Sequence, residues 1–324
     1  MDSSRTRADS PKCVDPFRGA MQVGSRTLIM NPNSGTGDHA EYVRRRARGK
    51  GFAVRETEGP EDGVRLGLEA ANEGVSELAV CGGDGTVNEV LRGLVAGEHL
   101  GEVTLSVIPA GTANLLAGNV GVEDIDQGIE IADTGPVRSV DVGMADGQPF
   151  VVSCIAGLPA EASTAASSEL KERFGTLAFL VTGLQEAASF EPLSLELEAT
   201  NGSDTESWAG EAIAVLVGNA RKFVEEGGQA DMEDGLFDVA VVERMPPGDL
   251  VAEAVTHRIL GEGTENVQHF RASEVEVTSE EPVRFSRDGE LSEHEDLRLY
   301  ARPRALDLRV GETYDPDPDG VRKG

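Results

Sequence analysis

The chain has 324 residues, enough for two domains with cores of their own, and its 39% hydrophobic content is that of a soluble protein. Fifty-eight acids against 29 Lys and Arg give a formal charge of −29, which excludes nucleic acid as a partner, because cations spread along the chain cannot assemble a basic face of the needed size. At molar salt the Debye length falls to about 3 Å and the self-repulsion is screened, so this balance points to a halophilic host.

Residues 1–20 show no periodic apolar pattern and lack the apolar core of a signal peptide, so a disordered arm is expected there. Arg26–Met30 reads as an apolar strand running into the polar, Gly-rich loop Asn31-Pro32-Asn33-Ser34-Gly35-Thr36-Gly37. A helix follows at Ala40–Gly49, with Arg44, Arg45, Arg46, Arg48 and Lys50 clustered on it. That cluster suits an anionic membrane surface, and equally a solvated helix face with cations near its negative C-terminal end. A second strand ends at Thr57, and a helix is expected over Glu61–Glu73. The run Glu77–Val80 reads as a buried strand that passes through Cys81-Gly82-Gly83-Asp84-Gly85 into a helix over Thr86–Ala96, whose apolar positions 87, 90, 91, 94 and 95 keep a helical period. A fourth strand, Val103–Ile108, enters Pro109-Ala110-Gly111-Thr112-Ala113-Asn114 and then the helical Leu115–Gly118; a further helix is expected at Ile125–Ala132.

Alternation of strand and helix predicts a parallel sheet with crossovers, and its boundary falls near Pro136–Asp141. Beyond it strands dominate: Phe150–Ile155, Leu193–Ala199, Glu211–Val217, Phe237–Glu243, Val267–Val277, Val283–Arg287 and Leu297–Leu308. Helices are expected there only at Ala162–Arg173, Leu177–Ala188 and Pro247–Leu260. The organisation expected is thus an arm at 1–20, an α/β domain at 21–137, a strand-rich domain at 138–310 and an acidic tail at 311–324.

A strand running through Gly-Gly-Asp-Gly into a helix puts bare backbone N–H groups and a helix N-terminus at one point, an anion site. Glycines let a phosphate reach the main chain with no Cβ in the way. Three such strand, loop, helix units place their loops at the carboxyl edge of one sheet, where open α/β sheets bind ligands. Asp84 would repel a phosphate, so it is expected to serve a metal ion or a proton. None of the five lysines follows a phosphate loop; neutralisation is left to Mg²⁺, to backbone N–H groups, and to Lys171, Arg173 or Arg221. Ser34, Thr57 and Thr112 are candidate hydroxyl donors to phosphate.

The acidic turn Asp231-Met232-Glu233-Asp234-Gly235-Leu236 offers oxygen ligands three residues apart around a glycine, which suits a hard cation such as Mg²⁺ or an ordinary solvated turn. Asp288-Gly289-Glu290 carries a turn signal. Cys13, Cys81 and Cys154 have no metal-ligand spacing and read as reduced thiols of a cytoplasmic protein, while the uncharged stretch 103–122 is interrupted by Pro, Gly and Asn and is not a membrane span.

The blocks Asn31-Pro32-x-Ser34-Gly35, Gly82-Gly83-Asp84-Gly85-Thr86-x-Asn88-Glu89 and Pro109-x-Gly111-Thr112-x-Asn114 resemble the nucleotide site of the diacylglycerol kinase and sphingosine kinase superfamily, in its soluble bacterial-type lipid kinase branch. The resemblance continues through Lys171-x-Arg173-x-Gly175, Gly218-Asn219-Ala220-Arg221, Asp234-Gly235-Leu236-Phe237-Asp238 and Asp288-Gly289-Glu290, and spans about residues 25–310. It implies an α/β chain: a doubly wound, Rossmann-like parallel sheet of the NAD kinase and phosphofructokinase type, followed by an antiparallel β-sandwich that carries the lipid site. Its nucleotide residues would be Asn31, Ser34, Thr57, Gly82, Gly83, Asp84, Gly85, Thr86, Asn88, Gly111 and Thr112. Asp231, Asp234 and the carbonyl of Leu236 would bind a structural metal, and either Glu290 or Asp84 would accept the proton.

Where sphingosine-type kinases carry an Asp for the lipid head group, the segment Ser153–Glu161 has only Glu161, so a neutral glycerolipid hydroxyl fits better. The expectation is therefore an ATP- and Mg²⁺-dependent lipid kinase, cytoplasmic and peripheral at the inner membrane face, with ATP, a membrane lipid and a second copy of itself in a homodimer as partners. An NAD or small-metabolite kinase sharing the Gly-Gly-Asp-Gly-Thr site, and a lipid-binding regulatory protein without turnover, are the alternatives.

Overall fold

The computed structural model describes residues 25–157, 191–222, 228–244, 266–316 and 318. The expected helices Ala162–Arg173, Leu177–Ala188 and Pro247–Leu260, the N-terminal arm, Glu161, Lys171 and Arg173 lie outside the described residues.

The first half alternates strand and helix: β1 Ser25–Met30, α1 Ala40–Gly49, β2 Ala53–Glu56, α2 Asp62–Asn72, β3 Val75–Gly82, α3 Asp84–Ala96, β4 Thr104–Pro109, α4 Leu115–Asn119 and α5 Ile125–Thr134. β1 lies between β2 and β3, and β3 pairs with β4, all parallel. Residues of β1 and β3 are buried on both faces, which is why these strands are continuous apolar runs. Leu28, Met30, Ala79 and Cys81 face Val43 and Ala47 of α1 with Ile129 and Ala132 of α5. Ile29, Leu78 and Val80 face the other way, against Leu66 and Ala70 of α2 with Val90, Leu91 and Leu94 of α3. The sheet is doubly wound, as expected.

The second half contains β5 Val137–Ala145, β6 Gln148–Phe150, β7 Ser153–Gly157, β8 Leu193–Asn201, β9 Asp204–Gly218, β10 Arg221–Lys222, β11 Gly228–Gln229, β12 Phe237–Glu243, β13 Val267–Ala272, β14 Glu274–Arg287 and β15 Glu290–Arg309. Among the described residues these strands pair antiparallel around a core that includes Phe150, Phe237 and Phe285. Phe150 and Phe237 stack with ring centroids 5.5 Å apart.

The two halves share one sheet, in the order β13-β12-β9-β7-β14-β15-β4-β3-β1-β2. β15 makes the join: its residues 290–300 pair with β14, and Asp307 and Leu308 pair in parallel with Thr104 and Leu105 of β4. Between these stretches β15 slips register at Arg302–Leu306, and Arg304 takes a left-handed φ of 49°.

Several expected strands differ: Glu211–Val217 begins seven residues earlier, at Asp204, and Val283–Arg287 is the end of β14 rather than a strand of its own. Phe150–Ile155 is broken at Val151 and Val152, whose N–H groups turn to a buried carboxylate, Asp288, instead of a neighbouring strand. Val267–Val277 is broken at Ser273, because β13 pairs with β12 while β14 pairs with β8 and β15. Leu297–Leu308 begins seven residues earlier, at Glu290. The start of the expected acidic tail is also docked. Gly311 N–H donates to Val120 at 2.7 Å, and Tyr314 packs on the core and donates its hydroxyl to Glu233.

Candidate functional site

In the parallel half the strand order reverses at β1, so the loops after β1 and β3 flank the topological switch point. Backbone bonds carry the ladder one residue past the strand ends: Asn31 N–H to Cys81 at 2.9 Å, Thr57 N–H to Met30 at 2.9 Å, Ala110 N–H to Gly82 at 2.9 Å. The Asn31 amide then donates to the Thr86 hydroxyl at 3.4 Å, which links the first loop to the second.

Glycine is required for these loops to meet. A Cβ on Gly111 would stand 2.4 Å from Cα of Gly83, and one on Gly35, whose φ is 56°, would stand 2.5 Å from the carbonyl oxygen of Ala110. Asn114, itself left-handed at φ 48°, closes the third loop by accepting from Gly111 N–H and donating to Gly111 O, both at 2.9 Å. Gly85 is different: a Cβ there would meet nothing within 4 Å. Of the expected nucleotide residues, Asn31, Ser34, Gly82, Gly83, Asp84, Gly85, Thr86, Gly111 and Thr112 thus lie on the three converging loops, and Thr57 sits buried beside the first. Asn88 does not point at the loops. It is buried and donates to the carbonyl of Pro149 in β6 at 3.2 Å, which fastens α3 to the second half.

α3 starts two residues earlier than its apolar period indicated, because Gly83 is extended and serves as the N-cap. Asp84 is therefore a first-turn residue. Its two carboxylate oxygens accept from the N–H groups of Leu115 (3.0 Å) and Leu116 (3.1 Å), the first residues of α4. A carboxylate at a helix N-terminus satisfies donors that have no partner inside the helix. Glu89 does the same for α2, accepting from Glu61 N–H (3.2 Å) and Gly63 N–H (3.0 Å).

The Asp288-Gly289 pair is the two-residue loop between β14 and β15, with φ 45° and 98° and Arg287 opposite Glu290, as an Asp-Gly hairpin turn demands. The Asp288 side chain turns inward and accepts from the N–H groups of Val151 (2.7 Å), Val152 (3.0 Å) and Ser153 (2.9 Å). Burial pushes its carboxyl up to about 6, against the pull of these three donors; the Asp84 carboxylate adds to the rise and lies close by. Glu290, two residues on, meets the guanidinium of Arg92 at 3.3 Å. Arg92 also holds both oxygens of Glu61 at 2.9 Å. Arg92 is eight residues after Asp84 on α3, about 12 Å along its axis. One rigid helix therefore connects the Gly-rich loop to the hairpin that carries Glu290. Arg92 carried no motif, so sequence reasoning missed it.

The acidic turn is organised by its own backbone and by Asp141. Asp231 accepts from Glu233 N–H at 2.8 Å, Asp234 accepts from Leu236 N–H at 2.9 Å, and the other oxygen of Asp234 pairs with Arg271. Asp141, fully buried in β5, accepts from Gly235 N–H at 2.6 Å and from Arg304 N–H at 2.7 Å, so it pins the turn to the β15 bulge. Burial raises its carboxyl, and the charges of Asp234 and Asp231 raise it further. Among the described residues no three His, Cys, Asp or Glu side chains form a metal cage. The donors on offer are Asp231, Asp234 and the Leu236 carbonyl, in a negative field that a divalent cation would relieve.

The basic cluster on α1 is largely spent on acids: Arg44 pairs with Glu56, Arg46 with Glu130 and Asp126, and Lys50 with Glu130 and Asp133. These pairs leave little free charge for an anionic surface. No helix among the described residues is long and apolar enough to cross a membrane. Cys81 and Cys154 are free and buried, and burial pushes the Cys81 thiol up to about 12, so it is unreactive.

Residues 25–145 match the diacylglycerol kinase catalytic domain, and residues 152–310 match the YegS C-terminal NAD kinase beta sandwich-like domain. A Pseudomonas aeruginosa protein named "Probable lipid kinase YegS-like" is 31% identical over 84% of this chain and 88% of its own length. One of the same name from Chromohalobacter salexigens is 29% identical over 89% of this chain and 94% of its own. A Bacillus subtilis protein named diacylglycerol kinase is 28% identical over 81% of this chain and 88% of its own. Among solved structures, a diacylglycerol kinase from Bacillus anthracis covers 90% of this chain and 98% of its own with a TM-score of 0.69 at 20% identity, a likeness of fold.

Proposed function

The chain belongs to the diacylglycerol kinase family in its YegS-like lipid kinase branch, and from that premise we propose that it transfers the γ-phosphoryl group of ATP to a hydroxyl of a membrane glycerolipid, with Mg²⁺. The observation that carries this reading is the shared helix: α3 begins at the Gly-rich loop and, two turns on, holds the carboxylate of Glu290. A donor site for phosphate and a candidate proton acceptor on β15 are thereby tied to one rigid helix through Arg92.

In this reading the N–H groups around Gly83 and Gly85 receive the phosphates beside Gly111, whose own N–H is held by Asn114, with Ser34, Thr86 and Thr112 supplying hydroxyls. The lipid oxygen forms a bond to the γ-phosphorus as the bond to the β,γ-bridging oxygen breaks, leaving ADP, and Glu290 takes the hydroxyl proton as that bond forms. Both oxygens of Asp84 are already engaged by α4, which favours Glu290 over Asp84 as the acceptor. Asp84 then keeps the second and third loops in register. Asp231, Asp234 and the Leu236 carbonyl would hold a structural Mg²⁺, whose charge would offset the crowding of carboxylates around Asp141.

The decisive assay supplies Mg-ATP and diacylglycerol in detergent micelles at molar salt. Lipid-dependent ADP release with formation of the phosphorylated lipid is expected; turnover of NAD or a soluble alcohol without detergent would sink the reading. The charge of −29 further supports a halophilic setting, so melting temperature should climb from roughly 0.1 M to molar salt.

A further inference from the structure

Arg92 stands between two carboxylates and is less exposed than either: 22% for its side chain, against 35% for Glu290 and 61% for Glu61. Its two grips are unequal. Both terminal nitrogens reach Glu61 at 2.9 Å, a bidentate pair, whereas Glu290 is met by one of them at 3.3 and 3.4 Å. A guanidinium carries five N–H donors, and the one on Nε, with one on Nη2, has no partner among the described residues.

Glu61 is held at two points. Its backbone N–H donates to Glu89 at 3.2 Å while its carboxylate takes Arg92, so α3 grips it from positions one turn apart. The residue adopts a left-handed φ of 66° there, a strained conformation for a side chain with a Cβ and one that points to a role. Glu290, in contrast, has no ion pair but the one with Arg92 among the described residues. One side of the guanidinium is thus fixed and the other loosely occupied.

We infer that Arg92 exchanges partners during the reaction: it pairs with Glu290 before phosphoryl transfer and binds the phosphate on the lipid oxygen afterwards, with Glu61 holding the guanidinium throughout. The inference rests on the lipid kinase reading above. The proton that leaves the lipid hydroxyl removes the charge of Glu290, and the negative charge it leaves behind ends on the β-phosphate of ADP. Meanwhile the dianionic phosphoryl group moves onto the lipid oxygen. A proton acceptor lies about 3 Å from the oxygen it deprotonates, and reacting atoms meet at about 3–3.5 Å, so the phosphate comes to rest beside Glu290. Helix side chains lean toward the N-terminus, which here aims Arg92 back toward the Gly-rich loop. Arg92 therefore passes from one anion to the next without standing unpaired, and it supplies a cation to a site where no lysine follows a phosphate loop.

The test is a calorimetric titration with phosphorylated diacylglycerol in micelles, in the presence of Mg-ADP at molar salt. Glu290→Gln imitates the protonated acceptor and frees Arg92, so it should bind the phosphorylated lipid about fivefold more tightly than wild type. In the double variant with Arg92→Met that gain should disappear. Glu61→Gln, which lets Arg92 close on Glu290, should weaken the phosphorylated lipid severalfold with unchanged affinity for Mg-ADP. Binding by Glu290→Gln no tighter than wild type, a gain that survives without Arg92, or an unchanged Glu61→Gln would overturn the inference; turnover of diacylglycerol by wild type would leave the kinase reading standing. Wild type that neither turns over diacylglycerol nor binds its phosphorylated form would overturn both.

Discussion

The Gly-rich rim of the parallel sheet and the tip of the β14–β15 hairpin face one another across α3, and they are held in opposite ways. At the rim, backbone meets backbone: Gly83 against Gly111, Gly35 against Ala110, with no room for a side chain between. At the hairpin, side chains do the holding: Asp288 gathers three N–H groups, and Glu290 answers Arg92. A backbone contact tolerates no added atom, whereas a carboxylate contact can be weakened by degrees through charge and pH. The rim should therefore break all at once and the hairpin gradually.

Gly111→Val has the largest expected effect. Its first carbon alone would overlap the main chain of Gly83, so the first half should lose about 3 kcal/mol or fail to fold, seen as a collapse of the thermal transition. Gly85→Val sharpens the comparison, because that position has open space on the protein side. It should melt like wild type yet bind ATP at least tenfold more weakly in a calorimetric titration. If affinity is unchanged, phosphate does not approach the start of α3.

Next in size is Glu290→Gln, which keeps the shape of the acceptor but cannot take a proton. Turnover should drop about 10²-fold at constant melting temperature and ATP affinity. Near-wild-type turnover would return the acceptor role to Asp84. Asp84→Ala strips two N–H groups of α4 of their partner and should cost about 1–3 kcal/mol in denaturant unfolding; an unchanged midpoint would show that α4 needs no such anchor.

Asp288 provides a pH signature. Its carboxyl titrates near 6 in the fold against about 3.9 in an unfolded chain, so between those values the folded state binds more protons. Stability should accordingly fall as pH rises from about 4 to about 6 and flatten above that. In Asp288→Asn this slope should vanish; a slope that persists belongs to other groups. The smallest effect is expected for Arg92→Met. The half-exposed pairs it breaks are worth under about 1 kcal/mol, while kcat should fall several-fold from a loosened Glu290, and Arg92→Lys should recover part of it.

What could be read beforehand follows the same division. The strand, loop, helix rhythm of the first half is local, so β1, α1 and α3 fell within two residues of expectation and the three loops were located by their glycines. Asp84 and Asn88 were placed on the right loop and helix, but their partners, Leu115 of α4 and Pro149 of β6, belong to elements that no periodicity connects to them. Arg92 and Asp141 went unnoticed for a related reason. A lone arginine on an amphipathic helix, or an aspartate in a strand, signals nothing until the fold sets Glu290 or Gly235 beside it. The break at Val151–Val152 likewise has its cause 136 residues away, in Asp288.

β15 belongs to both halves, running from the hairpin tip to the flank of β4. On the ribosome this imposes an order of events. The first half is complete in sequence once α5 has emerged, yet β4 still exposes an unpaired edge until residues 307 and 308 arrive, after nearly the whole second half has been made. Exposed strand edges invite wrong partners, and contacts between distant segments form slowly. The first half should therefore wait, loosely assembled, for the last strand to seal it. A fragment ending near residue 137 should aggregate rather than bind ATP, whereas the same fragment supplied with a peptide of residues 297–310 should regain solubility.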